Sequence, residues 1–409
     1  MQKYHRLKLA CYSTNVAMAV MANMPPVLFL TFNRMYGISF TQLGFLVFLS
    51  FSAQLFIDLA FSFYSHKFNI PLAVKVTPLL TFISLLIYTL WPVLFPDVAY
   101  AGMLLATLLF SISGGFAEVL ISPVIAAIPS ENPDREMSKL HSIYAWGVVP
   151  VTIISTLYIA LFGDKNWHWL ALALSVVPLI SFVLYLGADM PKVETPEKVS
   201  GAISIMKNKW LWVCVLTIFF GGAAEVSMAQ WSSGFLEQGL GLPKIWGDMF
   251  GVALFAVMLG LGRSLYAKIG KKVTKVLLFG MIGATICYLT VVFCDVAFVG
   301  VIAVALTGFC TSMLWPGSLI FAESKITQGG VFIFAMMAAV GDLGASVVPQ
   351  LIGITTDGVM TAGWIESLSQ ALAITPEQLG MKAGMLVAAI FCVAAIPLYI
   401  YVHKNRNSV

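Results

Sequence analysis

The sequence predicts an all-α integral membrane protein with twelve transmembrane helices in two six-helix halves. Hydrophobic residues make up 59% of the 409 residues and charged residues only 10%, whereas charged residues make up roughly 25% of soluble domains. The apolar residues are concentrated in twelve runs, each close to the ~20 residues that a helix needs to cross the hydrocarbon core of a bilayer. Short sequence elements of the first six runs recur in the last six.

The twelve runs form two sets of six on either side of a polar interval. That interval, residues 188–209, is the longest charged stretch of the chain. We expect it to be a cytoplasmic linker between an N-terminal bundle at 1–187 and a C-terminal bundle at 210–409. The runs lie near 8–32, 41–64, 71–94, 98–128, 139–162, 167–187, 210–236, 245–268, 274–294, 298–322, 329–355 and 382–403.

Lysine and arginine are distributed unevenly between the two sets of loops. If the N-terminus is inside, most of the 23 basic residues lie at inner helix ends and inner loops. Because basic residues are retained on the cytoplasmic side, we expect a multi-pass plasma-membrane protein with both termini in the cytoplasm. The outer side then carries only Arg34, Lys165, Lys244 and Lys382.

Two short elements repeat at matching positions in the two halves. Ser-Phe-Tyr-Ser at 62–65 recurs as Ser-Leu-Tyr-Ala at 264–267, and a Gly-Phe pair followed by a proline occurs at 115–123 and again at 308–316. Such parallel repeats resemble the architecture of the major facilitator superfamily, in which the solute binds near the midplane of the membrane.

Glu118 lies near the middle of the fourth run, within the segment 111–123. An ionised carboxylate near the centre of the hydrocarbon costs roughly 2.5–3.5 kcal/mol on insertion scales, so such a residue normally faces the bundle interior or a water-filled cavity. Ser111, Gly114 and Ser122 share its helical face by spacing. Glu118 is therefore a candidate proton or substrate site. The alternative is a protonated carboxyl that holds a neighbouring helix through a hydrogen bond.

Three further acids, Asp58, Glu225 and Asp342, also lie well inside apolar runs. Asp58 shares a helical face with Gln54, and it is either a proton site or part of an ion pair at a gate. Asp342 either takes part in proton coupling or pairs with Arg263, because a charge within a span needs an opposite charge or a polar shell.

The seventh run brings together Glu225, Gln230 and Trp231, and the tenth run adds Trp315. Carboxylate and amide groups hydrogen-bond sugar hydroxyls, and an aromatic ring packs against the C–H face of a sugar. Glu225 and Trp231 are six residues apart, or about 120° around a regular helix. We therefore expect a helix break between them, or Trp231 above the site. Neutral groups for the same solute lie in the first two runs: Asn15, Asn23 and Gln54.

Several segments resemble signatures of the fucose permease group of the major facilitator superfamily. Residues 223–231 resemble its span-seven signature, a Gly-Ala-Glu followed by Trp six residues after the Glu. Gly-Phe-Ala-Glu at 115–118 resembles its span-four signature, and 312–316 its span-ten element. The Pro-xxx-Gly-xxx-Asp pattern at 349–357 resembles its span-eleven exit, and His141 matches a histidine near the start of span five.

The resemblance implies proton-coupled sugar uptake. It implies that Glu118 is the protonatable or sugar-contacting acid and that Glu225 lies near the sugar, while His141 and Arg263 are candidates for a gate or ion pair. The chain departs from the group in span one, which carries Asn15 and Asn23 but no acid.

These observations favour a secondary active transporter that moves a small polar solute, with a sugar as the favoured class, by proton-coupled alternating access. The alternatives are an exporter of amphipathic compounds or lipids and a non-transporting sensor on the same fold. The sequence contains no credible Ser–His–acid set, metal-ligand spacing or phosphate-binding loop. We therefore expect no enzymatic activity, cofactor, metal or nucleic-acid partner. The expected partners are the solute, protons and membrane lipid, and the expected state is a monomer.

The outer loop between the last two runs contains Trp364 and a Thr-Pro-Glu-Gln sequence at 375–378 that is typical of a helix start. We expect a short interfacial helix in this loop, with a spacer role favoured over that of a functional lid.

Overall fold

The computed structural model describes residues 4–64, 69–129, 133–191, 206–269, 272–326 and 330–405, and within these residues it contains helices but no β-strand. The helices of the first half are α1 (His5–Tyr36), α2 (Phe40–Tyr64), α3 (Ile70–Leu94), α4 (Ala99–Ala126), α5 (Pro133–Phe162), α6 (Trp167–Leu174) and α7 (Val176–Leu186). Those of the second half are α8 (Lys209–Gly234), α9 (Lys244–Gly247), α10 (Leu254–Ile269), α11 (Val273–Phe293), α12 (Ala297–Thr311), α13 (Leu314–Lys325), α14 (Gly330–Met360), α15 (Ile365–Leu372) and α16 (Pro376–Lys404).

Eleven helical segments in the described part of the chain are long and apolar enough to cross a membrane. Helix α5 adds a shorter apolar stretch, Trp146–Phe162, and with it the twelve predicted spans are all helical. The prediction of an all-α integral membrane protein is confirmed.

The sixth and tenth predicted spans are each divided into two α-helices, and the eighth contains a π-helical segment between α9 and α10. The sixth changes from α6 to α7 at Ser175, and the tenth changes from α12 to α13 at residues 312–313. Pro316 explains the second division, because proline has no N–H to donate to the carbonyl four residues earlier. That carbonyl belongs to Ser312, at the break itself.

The contacts divide the chain into two compact units. The first unit contains Met1–Tyr36 and Ala53–Val199, and the second contains Gly37–Ser52 and Ser200–Val409. The first part of α2 thus belongs to the second unit, whereas the rest belongs to the first. Most of the predicted linker, residues 192–205, lies outside the described residues.

In the first unit, α1 packs against α5 and α7, and α3 packs against α4. Buried hydroxyls join these helices without leaving polar groups in hydrocarbon. Thr14 and Ser181 are hydrogen-bonded at 2.6 Å between α1 and α7, and Thr81 and Ser113 at 2.5 Å between α3 and α4. Interhelical hydrogen bonds of this kind are common in membrane bundles.

In the second unit, α8 is central and packs against α13, α14 and α16. Two tyrosines join other helices to its backbone. Tyr288 of α11 donates to the carbonyl of Ala224 at 2.8 Å, and Tyr399 of α16 donates to that of Thr217 at 2.7 Å. Gly344 allows the backbone of α14 to approach the carbonyl of Phe219 closely. Helix α8 is therefore held on several sides.

Two π-helical segments, Phe235–Gly239 and Asp248–Ala253, lie at the connection between α8 and α10. The carboxyl of Asp248, which is buried, accepts a hydrogen bond from Ser233 and lies 3.3 Å from Nζ of Lys244. The hydrogen bond between Ser233 and Asp248 therefore joins the start of the eighth predicted span to the end of α8.

Candidate functional site

A pair of carboxyl groups lies in the first unit, with Asp58 on α2 and Glu118 on α4. The two groups interact electrostatically. The glycines one turn before Glu118 allow this approach, since a methyl group on Gly114 would lie 3.2 Å from Nε2 of Gln54. Gln54, Asp58 and Glu118 are thus brought together where the two helices pack closely.

The environments of the two carboxyl groups differ. Asp58 is buried, with 3% of its surface exposed, whereas Glu118 is exposed. Among the described residues, the Glu118 carboxyl has no hydrogen-bond partner. Ser111 donates to the carbonyl of Thr107 in its own helix, and the Ser122 side chain lies outside the described part. The pair thus combines a buried carboxyl, that of Asp58, with an accessible one, that of Glu118.

An ion pair lies in the second unit, between α8 and α10. Oε1 of Glu225 is 2.9 Å from Nη2 of Arg263, and Nε of Arg263 donates to the carbonyl of Ser312 at 3.1 Å. This is the carbonyl that Pro316 leaves without its helical donor. Arg263 therefore serves both Glu225 and the helix break between α12 and α13.

The partner of Arg263 differs from the one that the sequence suggested, where Asp342 was given either this pairing or a role in proton coupling. Glu225 makes the ion pair instead. Asp342 is buried in α14. Oε2 of Glu225 has no hydrogen-bond partner among the described residues, so the carboxylate retains an acceptor.

Trp315 lies in a slot formed by two glycines. A methyl group on Gly222 of α8 would lie 3.0 Å from Cζ3 of the indole, and one on Gly341 of α14 would lie 2.5 Å from Cη2. Gly222 is about one helical turn from Glu225, and Gly341 adjoins Asp342. The half-buried Trp315 is thus placed close to the acids of the second unit.

Two polar groups of the second unit keep free hydrogen-bonding capacity. Within the described residues, neither the indole N–H of Trp315 nor the half-buried side-chain amide of Gln230 makes a hydrogen bond. Together with Glu225 and Arg263 they offer donors, acceptors and an aromatic ring. Such a set can bind a solute that carries several hydroxyl groups.

Trp231 packs inside the second unit. Its indole donates to the carbonyl of Pro349 at 3.1 Å, its ring lies 6.1 Å from that of Phe40, and it is buried. Helix α8 is continuous from Lys209 to Gly234. The expected helix break between Glu225 and Trp231 is therefore wrong, because the indole is used on a different face to join α8 to α14.

The two asparagines of α1 use their amides within the first unit. Asn15 is buried and donates to the carbonyl of Leu140 on α5 at 2.9 Å, so it joins two helices. Asn23 donates at 2.9 Å to the carbonyl of Ala19 in its own helix. His141 belongs to α5, and its side chain lies outside the described residues.

Asp357 near the C-terminal end of α14 has a role that the sequence did not reveal. Its carboxylate accepts from the backbone N–H groups of Phe40 at 3.2 Å and Thr41 at 2.5 Å, at the start of α2. Gln350 donates to the carbonyl of Thr41, and Gly353 lets α14 approach the carbonyl of Phe40. The Pro-xxx-Gly-xxx-Asp pattern was the sequence signal for these contacts. Within the second unit, its proline accepts from the Trp231 indole, its glycine lies against the carbonyl of Phe40, and its aspartate accepts from the start of α2.

Within the described part of the chain, no group of three or more His, Cys, Asp or Glu side chains is arranged to hold a metal ion.

Comparison with known proteins identifies the family. A family model described as Major Facilitator Superfamily matches residues 10–349. No curated protein sequence matches the chain significantly.

Three solved structures resemble the chain over nearly its whole length. A bacterial homologue of the human lysosomal transporter Spinster is 14% identical, with a TM-score of 0.70 over 97% of this chain and 96% of that one. The nucleoside transporter NupG is 12% identical, with a TM-score of 0.71 over 100% of both chains. A D-xylose-proton symporter is 15% identical, with a TM-score of 0.70 over 96% of this chain and 98% of that one. Identities this low establish the shared fold alone, whereas the family model matches most of the sequence. The chain therefore belongs to the Major Facilitator Superfamily and is a transporter, not an enzyme.

Proposed function

We propose that the protein moves a small polyhydroxylated solute, a sugar or a molecule with a sugar ring, together with protons across the plasma membrane. The arrangement in the second unit carries this proposal, because the Glu225–Arg263 ion pair lies about one turn from the slot that holds Trp315. The names of two similar structures are consistent with it, one being a D-xylose-proton symporter and the other a nucleoside transporter.

The second unit supplies the solute contacts in this proposal. Oε2 of Glu225 and the amide of Gln230 bind hydroxyl groups, and the indole of Trp315 packs against the C–H face of the ring. Arg263 holds Glu225 in place and donates to solute oxygens. Asp342 shapes the same region from α14. Trp231 contributes indirectly, by fixing the outer part of α8.

The first unit supplies the proton-coupling groups. Glu118 exchanges protons with water, and Asp58 lies close enough for each carboxyl to sense the charge on the other. Gln54, beside Gly114, completes the polar face of α2. We assign His141 to a gate. We also assign both termini to the cytoplasm. The protein works as a monomer by alternating access.

The test is uptake into proteoliposomes that contain the purified protein. Radiolabelled hexoses, pentoses and nucleosides are offered with an inward proton gradient, without a gradient, and with a protonophore. We expect accumulation of one of these solutes above equilibrium only when the gradient is present. Glu225→Gln should weaken solute binding, and Glu366→Gln, at an exposed position of the outer loop, is the matched control.

Two results would contradict the proposal. Accumulation that does not respond to the protonophore would remove proton coupling. Uptake or export of amphipathic dyes or lipids, with no response to any sugar or nucleoside, would favour the exporter instead.

A further inference from the structure

Helix α15 (Ile365–Leu372) lies between two membrane-spanning helices on the side predicted to be outer, and hydrogen bonds fix the turn at its C-terminal end. It ends at Ala373, which has a left-handed backbone with φ of 54°. The N–H of Ile374 closes this turn by donating to the carbonyl of Ser369 at 3.1 Å. Only two residues then precede Thr375, whose side chain and that of Gln378 form a capping box at the start of α16. The predicted helix start at 375–378 is confirmed.

The faces of this short helix differ sharply. Ile365 and Ser369 are buried against the protein. Large apolar side chains at a spacing of four residues form an exposed stripe: Trp364 is 50% exposed, Leu368 is 39% exposed and Leu372 is 53% exposed. Residues four apart lie on one side of a helix, so these three side chains form one continuous surface. The polar residues Glu366, Ser367 and Gln370 are exposed on the remaining sides.

We propose that the Trp364–Leu368–Leu372 stripe docks into the outer leaflet of the bilayer, at the boundary between acyl chains and headgroups. Helices α14 and α16, which flank α15, are both long and apolar enough to cross the membrane, so the stripe lies next to surface expected to face lipid. Tryptophan is enriched at this depth of a membrane, and short amphipathic helices lie in this plane.

The contact is apolar in origin and does not depend on lipid charge. No lysine or arginine occurs between Thr361 and Met381, and the charged residues of that segment, Glu366 and Glu377, are acidic. Anionic headgroups would be repelled rather than attracted. A second copy of the chain fits less well, because three side chains offer far less than the ~800 Å² per partner of a standard interface.

The docked stripe explains why an eight-residue helix occupies this connection. It holds the outer ends of α14 and α16 at a fixed depth, and so fixes the height of Asp357 where it contacts the start of α2. This inference is independent of which solute is carried.

Spin labels at two matched positions test the docking. Leu368→Cys and Gln370→Cys lie half a turn apart on α15, and each is labelled in protein reconstituted into phosphatidylcholine vesicles without solute. We expect the Leu368 label to be several-fold more accessible to oxygen, which partitions into lipid, than to a water-soluble nickel complex. The Gln370 label should show the reverse. The parent chain, treated identically, corrects for its native cysteines.

Three further measurements keep the test decisive. Trp364→Cys replaces Leu368→Cys if the latter fails to fold, and it should show the same lipid exposure. Vesicles containing phosphatidylglycerol should give unchanged values. Equal water exposure at Leu368 and Gln370 would overturn the proposal. Lipid exposure that requires anionic lipid would also overturn it. So would a disulfide that joins the Leu368→Cys variants of two copies. None of these outcomes touches the transport proposal, since no solute or gradient is present.

Discussion

The ion pair between Glu225 and Arg263 gives the sharpest quantitative prediction. Arg263→Met removes the guanidinium and leaves Glu225 as a charge within the span without its partner. Truncating one member of a fully buried pair costs about 3–5 kcal/mol, whereas exposed pairs contribute about 0.2–1 kcal/mol. The side chains of Arg263 and Glu225 are 42% and 16% exposed, so the pair lies between these limits. We expect Arg263→Met to lower the free energy of unfolding by about 2 kcal/mol, a part of which comes from the lost bond to Ser312.

The assay is a double-mutant cycle that measures thermal unfolding in lipid nanodiscs. At about 2 °C per kcal/mol for a chain of this size, Arg263→Met should lower Tm by about 4 °C. Adding Glu225→Gln should restore about half of this loss, because the unpaired charge is removed. The cycle of Arg263→Met with Asp342→Asn is the control and should be additive. Additive losses for Glu225 and Arg263, or a rescue by Asp342→Asn, would refute the assignment of the pair.

Three further predictions concern other parts of the two units. Glu118→Gln should abolish accumulation driven by a pH gradient while leaving exchange of preloaded solute less affected; gradient-driven uptake equal to that of the parent would remove Glu118 from coupling. Gly341→Ala places a methyl group 2.5 Å from the Trp315 ring, so calorimetry should show solute affinity reduced about tenfold, equivalent to 1.4 kcal/mol. Gly260→Ala, which meets no atom within 4 Å, should leave affinity unchanged, and equal effects would contradict the slot. Asp357→Asn weakens charged hydrogen bonds to a helix start and should lower stability by about 1 kcal/mol, and an unchanged Tm would argue against this contact.

The fold could be predicted from the sequence because a bilayer restricts which segments of a chain can cross it. A spanning helix must be long and apolar, and the runs predicted at 41–64 and 71–94 correspond to α2 (Phe40–Tyr64) and α3 (Ile70–Leu94). The division of the tenth span was harder to read. A proline within a span is tolerated where another group satisfies the freed carbonyl, and here that group comes from Arg263, which is 49 positions from Ser312.

The partners of the charged groups were not readable in the same way. Helical spacing states which residues share a face, but it does not state which helix that face meets. The sequence therefore suggested Asp342 as a partner for Arg263, and the ion pair between Glu225 of α8 and Arg263 of α10 was found only in the structure. The helix break predicted between Glu225 and Trp231 was wrong for the same reason. The 120° offset of Trp231 from Glu225 reflects a second packing face, directed at Pro349 of α14, rather than a distorted helix.

The Asp58–Glu118 cluster and the Glu225–Arg263 cluster differ in charge balance, and this difference suggests that they have different functions. In the second unit Arg263 already balances Glu225, so a neutral solute can bind there with little change in net charge. In the first unit the carboxyl groups of Asp58 and Glu118 interact, and a proton bound by either removes the repulsion that two ionised groups would exert. We therefore expect proton binding at the first cluster and solute binding at the second. On this argument, Glu118→Gln should change how uptake responds to a proton gradient, with little effect on solute affinity at equilibrium. Glu225→Gln should change solute affinity both with and without a gradient. A loss of affinity in Glu118→Gln as large as that in Glu225→Gln would show that one cluster performs both tasks.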